Sequence, residues 1–134
     1  MRILALDYGT ARIGCAISDP SGSVVRPLAV IEPPDPDAVA ELARGEGAEL
    51  VVLGLPLTLA GAPGAQAALS EEFRAELERR LEVPVETYDE RLTTRMAAAS
   101  RRSGAAAPED SLAAAHLLEG YLAARAGREG EDDS

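Results

Sequence analysis

Arg2-Ile3-Leu4-Ala5-Leu6-Asp7-Tyr8-Gly9-Thr10-Ala11-Arg12-Ile13-Gly14-Cys15-Ala16-Ile17-Ser18 is the stretch that decides the fold. Residues 2–8 are nearly all apolar and end at a glycine, the pattern of a strand buried on both faces and therefore central in its sheet. Residues 12–18 make a second strand after the tight Gly9-Thr10-Ala11 connection. Pro20-Ser21-Gly22 is a turn, and residues 24–31 are a third strand. Three strands joined by short turns form an antiparallel meander.

Beyond this the pattern changes to alternating helices and strands. Asp35 followed by Pro36 reads as a helix cap and first turn. Val39, Leu42 and Ala43 give that helix its apolar face, and Gly45 and Gly47 end it. Residues 49–55 are a buried strand, and residues 56–64 a loop rich in glycine and proline. Leu69, Phe73, Leu77 and Leu81 recur every four residues and predict a long amphipathic helix. Residues 83–88 are another strand, residues 93–102 a helix and residues 103–107 a loose linker; Pro108 opens a last helix through Leu122. The acidic residues from Gly127 onward are expected to be a disordered tail, so the chain divides into a domain over 1–126 and a tail over 127–134. The order βββαβαβα, with one further helix, implies an α/β fold of RNase H-like type. Its sheet would be a five-stranded mixed one with helices packed on it.

The 134 residues suit one domain, and with 46% hydrophobic but only 3% aromatic residues its core is built from Leu, Val, Ile and Ala. A single cysteine, Cys15, excludes an internal disulfide. No apolar run is long enough for a membrane span, and the N-terminus lacks a signal-peptide layout. These features predict a cytoplasmic protein with no membrane partner. A net charge of −10 argues against a phosphate-rich partner at first sight. Four of the acids lie in residues 129–134, which leaves −6 on residues 1–128, and all 13 basic residues are arginine, the better bidentate phosphate ligand. A compositional bias that replaces lysine by arginine explains the same count.

In such a sheet functional groups gather at the carboxyl ends of parallel strands. Asp7 ends the first strand, Asp89-Glu90-Arg91 follows the fifth, and Asp110 opens the last helix. Carboxylates are hard oxygen ligands suited to Mg²⁺ or Mn²⁺. Asp7 lies on a buried strand, where an unpaired carboxylate is costly, so a metal partner outweighs the alternative of an Asx-type turn cap. Taken alone, Glu90 serves equally well as a partner of Arg91 or as a helix cap. Asp110 alone is explained by the helix dipole. His116 is the only histidine, which leaves no Ser/His/Asp triad and no zinc cluster; a helix flank or a proton relay are its two readings.

Four stretches resemble the YqgF, or RuvX-like, family of Holliday junction resolvases, also described as pre-16S rRNA nucleases. They are residues 6–14 with Ala16-Ile17-Ser18-Asp19, then Val52-Leu53-Gly54-Leu55-Pro56-Leu57, Asp89-Glu90-Arg91-Leu92-Thr93-Thr94, and Asp110-Ser111-Leu112-Ala113-Ala114-Ala115. Their order and spacing run through about residues 2–122. The loop Leu57-Thr58-Leu59-Ala60-Gly61 departs from the more polar stretch of such relatives. The resemblance implies an RNase H-like fold and a nuclease dependent on Mg²⁺ or Mn²⁺, with an acidic site at Asp7, Glu90 and Asp110. The nucleic acid would be structured RNA or branched DNA. Cutting a junction symmetrically calls for a homodimer, whereas processing an RNA end needs only a monomer.

Arg91, Arg95 and Arg102 are spaced to share one helical face and, with Arg12 in the first hairpin, are candidate phosphate contacts; a solvated surface is the bland alternative. Two other functions fit parts of the chain. Asp7-Tyr8-Gly9-Thr10 with Asp19 also resembles the phosphate loop of actin-like ATP-binding proteins, although those need two such domains. A non-catalytic partner in ribosome maturation or transcription suits the acidic charge.

Overall fold

The computed structural model of the chain describes residues 1–9, 11–55, 65–89 and 109–132. The strands β1 (Ile3–Tyr8), β2 (Ile13–Ser18), β3 (Val25–Pro27), β4 (Leu50–Leu55) and β5 (Val85–Asp89) form one sheet in the order β3-β2-β1-β4-β5. β1 pairs antiparallel with β2, and β2 with β3, while the β1–β4 and β4–β5 pairs are parallel. The meander and its parallel additions follow the order of strands along the chain, and β1 occupies the centre. The helices described are α1 (Pro36–Glu46), α2 (Ala65–Arg80) and α3 (Glu109–Asp132). The helix expected over residues 93–102, the linker over 103–107 and the loop over 56–64 lie outside the described residues.

Helices cover both faces of the sheet, which is why β1 reads as an unbroken apolar run. Leu4 and Leu6 pack with Val39 and Ala43 of α1 and with Phe73 and Leu77 of α2. Ile3 and Ala5 point the other way, into a second cluster with Ala114, Leu117, Leu118 and Tyr121 of α3. Each fully buried Leu or Ile contributes roughly 1.5–3 kcal/mol relative to exposure.

Local chemistry sets the boundaries. The Asp35 carboxylate accepts from the Asp37 N–H at 2.9 Å, and Pro36 fills the first turn of α1. The helix ends at Gly47, whose φ of 69° is the left-handed cap a glycine adopts freely. In the β1–β2 connection the Gly9 N–H donates to the Arg12 carbonyl at 3.0 Å. A Cβ on Gly9 would stand 2.8 Å from that oxygen, so only glycine fits.

Two boundaries and one helix face differ from the expectations above. β3 covers Val25–Pro27 rather than residues 24–31. Beyond it the chain keeps to β2 through the Leu28 N–H to Cys15 carbonyl bond and the Ile13–Ile31 bridge. In α2, Phe73 and Leu77 are buried, but Leu69 is 41% exposed and Ser70 takes the inward position. A four-residue step overshoots a helical turn by about 40°, so two steps rotate Leu69 roughly 80° away from Leu77. Finally, α3 runs to Asp132, past Leu122 where the last helix was expected to end. Ala123-Ala124-Arg125-Ala126 are strong helix formers, and no proline follows them. No described helix is long and apolar enough to cross a membrane.

Cys15 is fully buried in the core under α1 and α2. Burial pushes its thiol from 9.0 up to about 12, with a smaller opposing pull from the Ile31 backbone. The unfolded thiol therefore ionises first, and the stability linked to this site is intact below about pH 9 and falls as pH rises toward about 12. A thiol-reactive dye is expected to leave Cys15 unlabelled at neutral pH until denaturant is added; prompt labelling of the native protein would contradict this burial.

Candidate active site

Asp7 follows Ile3 and Ala5 by two-residue steps and so projects from the α3 face of the sheet, near the carboxyl end of β1. It pairs with Gly14 of β2 on one side and Gly54 of β4 on the other, and Gly54 in turn pairs with Tyr88 of β5. Directly opposed residues project to the same face. One row across the sheet thus reads Gly14, Asp7, Gly54, Tyr88, and neither residue flanking Asp7 carries a side chain. The α3 core contacts take in Ile3, Ala5, Leu50 and Val52, the levels below this row. Asp7 is half-buried, and no hydrogen bond or ion pair joins its carboxylate to another described residue. A carboxylate so placed suits a cation as its partner.

The start of α3 is held at the same end of the sheet. Ser111 is fully buried and its Oγ donates to the Leu28 carbonyl at 2.5 Å. The Leu28 N–H donates to the Cys15 carbonyl, and Cys15 pairs with Leu6. The start of α3 therefore lies at the Asp7 end of the sheet and on the Asp7 face, over the β3 side and two strands from β1. The side chain of Asp110 lies outside the described residues, as do Glu90, Arg91, Arg95 and Arg102 in full. Among the described residues no group of three His, Cys, Asp or Glu side chains could hold a metal. Replacing Ser111 by Ala is expected to cost about 1 kcal/mol, read as a lowered denaturation midpoint. An unchanged midpoint would mean that this hydroxyl does not anchor α3.

Arg12 lies in the β1–β2 connection at the Asp7 end of the sheet, exposed and paired with Glu32 at 3.7 Å. His116 is buried on α3, and its Nδ1 has no hydrogen-bond partner among the described residues; the Glu119 carboxylate at 3.9 Å is too distant to be one. It is not on an exposed helix flank, and no described contact links it to Asp7. Asp19 stands at the opposite end of the sheet from Asp7, at the end of β2. Its carboxylate accepts from the Ser23 and Val24 N–H groups and the Ser21 hydroxyl, and these bonds, that from Val24 first, hold it below its ordinary range. It closes the β2–β3 turn, so Asp7 and Asp19 do not form one phosphate loop. The sequence reading missed the Gly14–Asp7–Gly54–Tyr88 row and the Ser111 anchor. Gly14 and Gly54 stand in the motifs quoted above, but no local signal states which strands pair or in what register.

A family model described as RuvX: Holliday junction resolvase matches residues 1–124. The chain belongs to the RuvX family. This RuvX chain is 38% identical to a relative from Azotobacter vinelandii over 133 residues, covering 92% of the chain and 94% of the relative. It is 41% identical to one from Chloroflexus aurantiacus, covering 92% and 87%. Both relatives carry the provisional name pre-16S rRNA nuclease. Together these matches give the RuvX chain a nuclease role. Its fold is similar to that of Thermus thermophilus RuvC in complex with a Holliday junction substrate, with a TM-score of 0.66 at 16% identity over 95% of this chain and 97% of that one. The fowlpox virus Holliday junction resolvase gives 0.57 at 16% identity over 92% and 99%. At such identity the likeness shows the fold, and that fold is RNase H-like.

Proposed function

We propose that the chain is a metal-dependent nuclease that hydrolyses phosphodiester bonds at Asp7, Glu90 and Asp110, with the 5′ end of precursor 16S rRNA as its substrate. The observation that carries the site is Asp7 itself. It is a half-buried carboxylate without a partner among the described residues, flanked by two glycines at the end of the sheet where α3 starts. Asp7, Glu90 and Asp110 are hard oxygen donors and would hold Mg²⁺ or Mn²⁺. When bound, such ions lower the barrier to water attack at phosphorus and stabilise the leaving oxygen. The protein's own contribution is to fix the donors: β1 sets Asp7, and the Ser111 anchor sets the turn that carries Asp110. Arg12, Arg91, Arg95 and Arg102 would orient flanking phosphates.

The RNA assignment is favoured because the relatives named as pre-16S rRNA nucleases share over a third of their residues with the chain, whereas the junction-cleaving neighbours share the fold at 16% identity. RNA end processing takes place in the cytoplasm and needs only a monomer. Junction resolution is the second reading, favoured by the description of the family model, and it would require a homodimer. The test is cleavage with Mn²⁺ of a precursor rRNA fragment beside a four-way DNA junction, with mass measured in solution. Cleavage of the RNA fragment by a monomer supports the proposal. Paired cuts in the junction by a dimer replace its substrate. No cleavage of either would favour a non-catalytic role in ribosome maturation.

A further inference from the structure

The α3 side of the sheet is sealed by small and aliphatic side chains, with Ala114, Leu117 and Leu118 of α3 in one cluster with Ala5 and Val52 of the strands. Apolar contacts of this kind are non-directional and fix no single setting of helix on sheet. A polar contact interrupts them at the β5 edge. Tyr121 of α3 is 3% exposed, and its hydroxyl donates to the Glu86 carboxylate of β5. Arg125, one turn further along α3, donates to the same phenol oxygen at 3.3 Å. Burial first, and the Glu86 bond second, raise the phenol above its ordinary value, so the hydroxyl keeps its proton and stays a donor at neutral pH.

Tyr121 holds β5 at two points. Glu86 pairs with Val52, and Val52 with Ala5, so Glu86 lies on the α3 face, two residues before Tyr88 on the same strand. Tyr88 meets the Tyr121 ring edge to face, with centroids 5.8 Å apart and planes at 85°. One side chain of α3 therefore grips both α3-facing residues that flank Thr87. β5 is the edge strand of the sheet and is hydrogen-bonded there to β4 alone. A strand bonded on one side opens more readily than a central one, and a second hold from α3 opposes that opening. β5 ends at Asp89, directly before Glu90, and α3 carries Asp110 in its first turn. The Tyr121 contact thus joins the strand that leads into Glu90 to the helix that carries Asp110.

We propose that Tyr121 is a positioning residue for cleavage: bonded to Glu86, it fixes the end of β5 against α3 and so sets Glu90 at the spacing from Asp110 that a shared divalent cation requires. The inference rests on the metal-dependent nuclease reading above. Tyr121 acts through β5 and touches neither metal nor RNA.

The test measures Mn²⁺ binding to the full chain without nucleic acid, from the EPR signal of the free ion, and counts as site binding what Asp7→Asn abolishes. Tyr121→Phe keeps the ring and loses the bond. It is expected to weaken site binding about 10-fold with cooperative melting retained. Glu86→Leu should do the same, whereas Glu86→Gln, whose amide oxygen still accepts from the phenol, should bind as the wild type does. The Mn²⁺ needed for half-maximal cleavage should rise in step, with KM for RNA unchanged. Leu118→Ala is the structural control: it opens a cavity under α3, read as a lower melting temperature, and should leave site binding as it was. Wild-type affinity in Tyr121→Phe overturns the proposal, and so does an equal weakening in Leu118→Ala. Should Tyr121→Phe fail to fold, the Glu86 pair decides, since equal affinities in the Gln and Leu variants overturn the bond's role. The outcomes separate the two readings. Site binding that survives Tyr121→Phe but not Asp7→Asn sinks only the positioning role. A wild type that binds no Mn²⁺ at Asp7 sinks the metal site and the positioning role with it.

Discussion

Asp7→Asn is expected to reduce metal-supported cleavage by at least about 100-fold while leaving the fold intact. The magnitude follows from ligand chemistry. Losing a residue that merely orients a metal ligand costs about 10–100-fold, and losing the ligand costs more. The fold should survive because Asn is nearly isosteric and the Asp7 carboxylate makes no hydrogen bond or ion pair to another described residue. Neutralising a half-buried carboxylate that has no partner among the described residues also removes a desolvation cost, so the melting temperature should hold or rise slightly. Two measurements on one sample check this: a cleavage time course with Mn²⁺, and thermal melting without metal. Retained cleavage would remove Asp7 from the site. A collapsed melting temperature would point instead to a turn-capping role.

The second large effect separates two leucines that the sequence pattern treats alike. Leu77→Ala is expected to destabilise the protein by roughly 2–5 kcal/mol, because Leu77 is fully buried between α2 and the sheet and its loss leaves a cavity. For a chain of this length that is a fall of about 10 °C or more in melting temperature. Leu69→Ala should change stability by no more than about 0.5 kcal/mol, since Leu69 is 41% exposed. Denaturant titration of both variants decides it. Similar losses would restore Leu69 to the core and contradict the rotation of α2.

Much of the proposed site is legible in the amino-acid sequence. Asp7 stands out because a carboxylate closing an apolar run demands a partner. Glu90 and Asp110 do not stand out in the same way: each has an adequate local explanation, and only the family resemblance joins them to Asp7. The structure adds the placement of the first turn of α3 through Ser111, an anchor that no sequence pattern announces, since a buried serine looks like any other helical serine. His116 shows the opposite failure, for a lone histidine in an alanine- and leucine-rich helix carries no sign of whether it faces water or the interior.

The sequence by itself determined the elements that depend on neighbours along the chain. The apolar run of residues 3–6 required a strand covered on both faces, Asp35-Pro36 and Gly47 bounded α1 through local hydrogen bonds, and the order of strands and helices selected the mixed sheet. The tertiary structure alone decided what depends on segments far apart meeting in one register. It set Gly14 and Gly54 on either side of Asp7, brought Tyr88 into the same row, and turned Ser70 rather than Leu69 inward. The reason is physical. Caps and periodicity are energies between residues a few positions apart, whereas register and helix rotation are set by packing between surfaces that meet only in the folded chain.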